Sequence, residues 1–224
     1  MKNLLIAFCI VIFGSLVSCK KTKDIDPTPE EILTKKISDI LPQKYVDTLT
    51  KLGLDINKGT TPPDIQGAYI AKPFKLKESN IVGDVPGMSF TDGYVKFFDQ
   101  STTDFGIKLV GKHLLNQADT SVTTAISGSG NNFTVYGKVK STYGSSYAYF
   151  AILLSGVKEG NTIKNLNMGI LNIDNQHGGS VFIAEGQGRV AYDTDLVSES
   201  INFDAIVAKV RDQMLSPALQ KPHD

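Results

Sequence analysis

Chemistry in this chain would have to come from three histidines, at 113, 177 and 223, from scattered aspartates, and from serines set among glycines. No two histidines share a metal-ligand spacing. Zinc needs its ligands gathered at one tetrahedral centre, so the sequence predicts no metal site and no cofactor. Asp92 with Asp99, or Asp193 with Asp195, would suit glycoside hydrolysis if the fold set the two carboxyl groups across a cleft. Asp174 with Asp193 and Asp195 offers the oxygen ligands that calcium takes. There is no EF-hand loop, however, and loop acids ordinarily cap turns or face solvent. A Ser-His-Asp triad is recognised by geometry rather than chain order, yet no nucleophile elbow is present, and turn chemistry accounts for the serines. The expectation is a protein without catalytic residues, with a hydrolase third among the readings. Gly186-Gln187-Gly188-Arg189 lacks the strand-to-helix setting of a phosphate loop; glycine inside a strand marks a bulge or bend.

The aromatic residues are more suggestive. Tyr136, Tyr143, Tyr147, Tyr149 and Phe150 cluster in one stretch of the chain. A tyrosine presents an apolar face and a polar tip, so it can line a ligand pocket or a sugar-stacking surface. It is also a good strand former. Tyr136, Tyr147 and Tyr149 are therefore ligand-binding candidates that packing alone would also explain.

Cys19 carries the clearest signature. Lys2 makes a basic start, and the apolar run from Leu4 to Phe13 is too short for a bilayer core, which takes roughly 20 residues. Residues 1–18 read as a signal peptide. Leu16-Val17-Ser18-Cys19 resembles the lipobox of bacterial lipoproteins, in which an aliphatic residue and two smaller ones precede a lipidated cysteine. The resemblance implies cleavage before Cys19 and a diacylglyceryl group on its sulfur. The only other cysteine, Cys9, leaves with the signal peptide, so the mature chain has no second thiol. One acyl chain anchors only marginally, and two or three anchor stably. Lys20 and Lys21 follow directly, without the aspartate that favours inner-membrane retention in enteric bacteria, so the expected location is the outer membrane, on its periplasmic or cell-surface face. Loss of residues 1–18 leaves 22 basic and 23 acidic residues, one net negative charge. With no basic stripe, nucleic acid is not an expected partner.

The elements follow from local pattern. Residues 19–28 read as a polar tether. Thr28-Pro29-Glu30-Glu31 is a capping box with proline at the first helical position. It opens a helical segment over 29–60, with Ile32, Leu33, Ile37 and Ile40 on one face, a break at Pro42, and Tyr45, Val46, Leu49 and Leu52 before Gly53. A β domain is expected over 61–195, in about eight strands near 65–76, 93–98, 104–113, 122–127, 133–139, 147–157, 162–173 and 181–192. Turns at 127–132, 158–161 and 175–179 are rich in glycine and asparagine, which tolerate positive φ. No helical pattern separates the strands, so an antiparallel meander is expected, as a barrel or a strongly curved sheet, with a sandwich as the structural rival. Phe203, Ile206, Val207, Val210 and Met214 mark a C-terminal helix within 196–215, capped by Asn202. Residues 216–224 read as a disordered tail.

Leu41-Pro42-Gln43-Lys44-Tyr45 through Gly53, Thr61-Pro62-Pro63-Asp64-Ile65-Gln66-Gly67-Ala68-Tyr69, Ser127 to Thr134 and Gly186 to Val190 are similar to uncharacterised lipoproteins of Bacteroidota. That resemblance supports localisation and folding as a unit and lends no chemistry. The β region loosely resembles lipocalin-like barrels, which open with Gly-x-Trp and pack a basic side chain of the final strand across that tryptophan. Here Gly67-Ala68-Tyr69 would take the first part and Arg189 the second, in a chain without tryptophan. Tyr69 and Arg189 thus join the ligand-binding candidates. The leading expectation is a monomeric, membrane-tethered, non-enzymatic binding module holding a small apolar or amphipathic ligand. Its rival is an accessory lipoprotein with a solid core that binds protein or glycan.

Overall fold

A computed structural model describes residues 26–112 and 118–206, the side chains of 118–123 excepted. The signal peptide, Cys19 and the tether to residue 25, His113, His223, the tail 216–224 and the C-terminal helix from 207 onward lie outside the described residues.

Helix α1 spans Pro29–Ile40. The Glu31 N–H donates to Thr28 Oγ1 at 3.3 Å, and the Thr28 N–H donates to Glu31 Oε2 at 2.7 Å. Two backbone donors that a helix start leaves open are thereby satisfied. Pro42 separates α1 from α2, Gln43–Lys51, and Gly53 at φ +82 follows its end. Leu33, Ile40, Val46 and Leu49 are buried. Helix α2 lies close on the sheet at Gly169: a Cβ there would stand 3.0 Å from Leu49 Cδ1 and from Leu54 Cδ2. The missing side chain is what lets the helix approach.

The strands are β1 Thr60–Thr61, β2 Gly67–Ala71, β3 Phe74–Ser79, β4 Gly93–Phe98, β5 Lys108–Lys112, β6 Ala118–Ser129, β7 Asn132–Tyr143, β8 Ser146–Glu159, β9 Thr162–Asp174, β10 Gly188–Asp193 and β11 Val197–Ser200. They form one large mixed sheet in the order β11-β2-β4-β5-β6-β7-β8-β9-β10-β3, with β1 pairing parallel to β6. The end strands β11 and β3 do not pair with each other, so the path is not closed end to end. β11 also pairs with β9 through Val197 and Ser198, while Glu199 and Ser200 pair with β2.

The chain is mainly β, as its pattern predicts, but among the described residues eleven strands stand where about eight were expected, and the parallel β1 makes the sheet mixed. The first expected strand is split at Pro73, which offers no N–H to a ladder. Residues 181–187 are turn and loop, not strand, with Gly186 at φ +81 before β10 begins. Residues 197–200 are strand where a helix was expected. Their partners are distant in sequence, so no local period announces them. A helical turn starts only at Phe203, where Asn202 Oδ1 accepts from the Ala205 N–H at 3.1 Å.

Alternation along the strands divides two cores. One face gathers Tyr69, Phe97, Leu109, Ile126, Phe133, Val135, Ile152 and Leu154 with neighbours from nearly every strand. The opposite face gathers Ala125, Tyr136, Ala151, Leu153, Leu171 and Val190 beneath the α1 and α2 side chains.

Candidate functional site

Past the cover of the helices, the outer face of β7 and β8 continues as lysines and tyrosines. Gly144, at φ +59, and Ser145 form a two-residue turn closed by Tyr143 opposite Ser146. Glycine at the first central position is what such a tight hairpin turn requires. The resulting register places Lys140 opposite Tyr149 and Thr142 opposite Tyr147. Lys138 Nζ lies 4.8 Å from the Tyr149 ring centroid, and Lys140 Nζ lies 3.8 Å from that of Tyr147. These are diagonal cross-strand contacts, within reach of long side chains, and each contributes about 0.5–1 kcal/mol at an exposed site. The rings meet edge to face at 6.0 Å, and His177 stacks on Tyr147 at 4.6 Å. The backbone fixes that loop as well, because the Tyr147 N–H donates to the His177 carbonyl at 3.0 Å. A third pair adjoins: Lys44 Nζ sits 4.7 Å over Tyr45, whose hydroxyl donates to the Ile173 carbonyl at 3.2 Å. A cleft of about 320 Å³ opens beside it, lined by Lys44, Tyr45, Thr48, Leu171, Glu185 and Gly186. Among the described residues, no carboxylate pairs with Lys44, Lys138 or Lys140.

Of the ligand-binding candidates, the structure brings Tyr147 and Tyr149 together on this face and disperses the rest. Tyr136 is buried under the helices, with its hydroxyl 3.1 Å from Ser127 Oγ, and burial pushes its pKa up. Tyr69 is 2 % exposed, donates to the Ile65 carbonyl at 3.1 Å, and has its pKa pushed up to about 12 by burial and by Asp64. Arg189 does not cross Tyr69. It grips Asp84 through Nε at 2.6 Å and Nη2 at 2.9 Å, and the basic group over the Tyr69 ring is Lys158, at 5.5 Å. Phe150 packs edge to face on Phe182, and Tyr143 stands exposed at the hairpin tip. The lysines and His177 are the residues that sequence reading missed as partners. The signal was Lys138-Val139-Lys140 facing Tyr147-Ala148-Tyr149 across a predictable hairpin.

The acid pairs fare differently. Asp92 and Asp99 flank opposite ends of β4, roughly 20 Å apart at the rise of a strand. Asp174, at the far end of β9, pairs in register with Tyr149, whereas Asp193 follows Tyr192, which faces Asn167. About seven strand residues, roughly 23 Å, keep Asp174 out of any site with Asp193. No group of three or more His, Cys, Asp or Glu among the described residues could hold a metal ion. Asp193 and Asp195 do meet, in the turn between β10 and β11. Asp193 is fully buried, accepts from Ser198 Oγ at 2.6 Å, and has its other oxygen without a donor. Burial, then the nearby Asp195 carboxylate, raise its pKa to about 6. Asp193 belongs to the wall of a cleft of about 490 Å³ that Lys77, Asn167, Tyr192 and Leu196 also line. No protein-family model, curated protein or solved structure matches the chain.

Proposed function

We propose that this chain is an exported lipoprotein of the Bacteroidota type, anchored through Cys19, whose β domain binds a partner on its outer surface and catalyses no reaction. The observation carrying this reading is the inner face of the sheet, where Tyr69, Phe97, Phe133, Ile152 and the other buried residues of their cluster are at most 4 % exposed and pack on one another. A face filled by its own side chains favours a solid-cored accessory protein over a ligand carrier. The same reading rolls the sheet into a lipocalin-like barrel. It is supported by β11, which joins β9 with one half and β2 with the other.

Two measurements test it. Native mass spectrometry and titration with a fluorescent fatty acid should find no ligand in the purified chain; stoichiometric, saturable uptake would overturn the solid core. In cells, Cys19→Ala should abolish labelling by a fatty-acid analogue, and equal labelling of both proteins would remove the anchor.

A further inference from the structure

We propose that the outer face bearing Tyr45, Tyr147 and Tyr149 with Lys44, Lys138 and Lys140 is a binding site for an acidic glycan, its carboxylates on the ammonium groups and its sugar rings along the half-buried tyrosine edges. The inference rests on the surface-binding reading above.

Position comes first. Glu30, near the start of α1, reaches Thr60, and Thr60 pairs with Gly128, which pairs with Phe133. The tether therefore joins the domain at the end of β7 where Phe133 lies. Lys140 is seven residues further along the same strand, about 24 Å away. The tyrosine face thus sits toward the end remote from the point where the chain enters the domain.

Chemistry narrows the partner. The two lysines of β7 alternate by two residues, so they project from one face about 7 Å apart along the strand. Each is held over a ring and, among the described residues, paired with no acid. Ammonium groups fixed in this way are ordered before an anion arrives, which lowers the entropy cost of binding. Acids near this face include Asp174, whose Oδ1 accepts from the Gln176 N–H, Asp47, one turn along α2 from Lys44 and bonded to Gln43, and Glu185, at the rim of the flanking cleft. Membrane insertion calls for apolar side chains at the contact. Of the exposed large hydrophobics among the described residues, Val82, Val85, Met88 and Leu196 belong to other loops, and only Tyr143 at the hairpin tip and Val181 in the His177 loop come near this face, too few to seat it in a bilayer. A protein interface is depleted of charge at its centre, whereas the centre here is a pair of lysines. An extended, polar, repeatedly anionic chain is what remains, and aromatic rings between the cations favour a sugar backbone.

The test uses the purified mature chain with oligogalacturonate, its fully methyl-esterified form, poly-glutamate, and phosphatidylcholine vesicles containing phosphatidylglycerol. Oligogalacturonate should bind at low salt, the ester at least about tenfold more weakly, and K138Q/K140Q should lose a similar factor while its melting midpoint falls by no more than the few degrees that two lysine–tyrosine contacts carry. Tyr147→Ala should weaken binding too, whereas K138R/K140R should retain most of it. Equal binding of acid and ester, indifference to K138Q/K140Q, or binding of vesicles alone overturns the proposal. Poly-glutamate binding that is lost in K138Q/K140Q, with no glycan bound, overturns the glycan and leaves surface binding standing. Uptake of the fatty acid into the interior overturns the underlying reading itself.

Discussion

Asp193→Asn is expected to stabilise the protein at pH 7 by about 1–3 kcal/mol and to bring no gain at pH 4. In the folded chain Asp193 holds its proton to about pH 6, against an ordinary value of 3.8. Between those values the unfolded chain is ionised at this group while the folded chain is not. The folded state then binds more protons, so this group's contribution is greatest below pH 3.8 and falls as pH rises to 6. Above 6 the buried carboxylate is charged, and the loss is complete. A difference of about two pKa units corresponds to roughly 3 kcal/mol, and the exposed Asp195 beside it draws the figure down through solvent screening. Asparagine is neutral at every pH, keeps an oxygen for Ser198, and offers an N–H toward Asp195. Urea unfolding of both proteins at pH 4, 5, 6 and 7 should show the difference opening across that window. A constant difference would mean that Asp193 does not titrate there. Asp84 and Asp104 act in the opposite sense. The Arg189 guanidinium holds Asp84 below the usual carboxylate range, and a hydrogen bond from Lys36 brings Asp104 to about 2. Their support is lost as pH falls, so the comparison must be variant against parent.

What was legible in the sequence was local. Thr28 and Glu31 announce α1 because a capping box is made within four residues, and 133–139 announces β7 because one buried face imposes a period of two. Partners remote in the chain were not legible. Val197–Ser200 becomes a strand through β9 and β2, and Thr60–Thr61 through β6, neither with a pattern of its own. The tyrosine face lies between these cases. Its residue types stood in the sequence, but only the register set at Gly144 puts a lysine over each of Tyr147 and Tyr149. Arg189 shows the limit of resemblance. A basic residue on a late strand invited a contact with Tyr69, and the loop at Asp84, which nothing local predicts, took it.

Phe133→Ala should cost about 3–5 kcal/mol, the range for deleting a buried aromatic side chain from a packed core. Phe133 is 0 % exposed and meets Phe97 edge to face at 6.5 Å, within the cluster that also holds Tyr69 and Ile152. Two terms add: the transfer energy of the lost ring, and the lost contacts of the walls around the void. At about 2–4 °C per kcal/mol for a domain of this size, the melting midpoint should drop by about 6–20 °C. The size of that drop bears directly on function. In a ligand carrier, a residue lining an open cavity lacks packing partners on one side, so its truncation costs little and changes ligand affinity instead. In a solid-cored protein the same truncation is expensive and makes a cavity that was not there. The variant should therefore melt early and gain weak binding of a small apolar probe such as benzene, which the parent does not bind. A loss below about 1 kcal/mol, the scale of an ordinary surface change, would point to a hollow interior and return the carrier reading to first place.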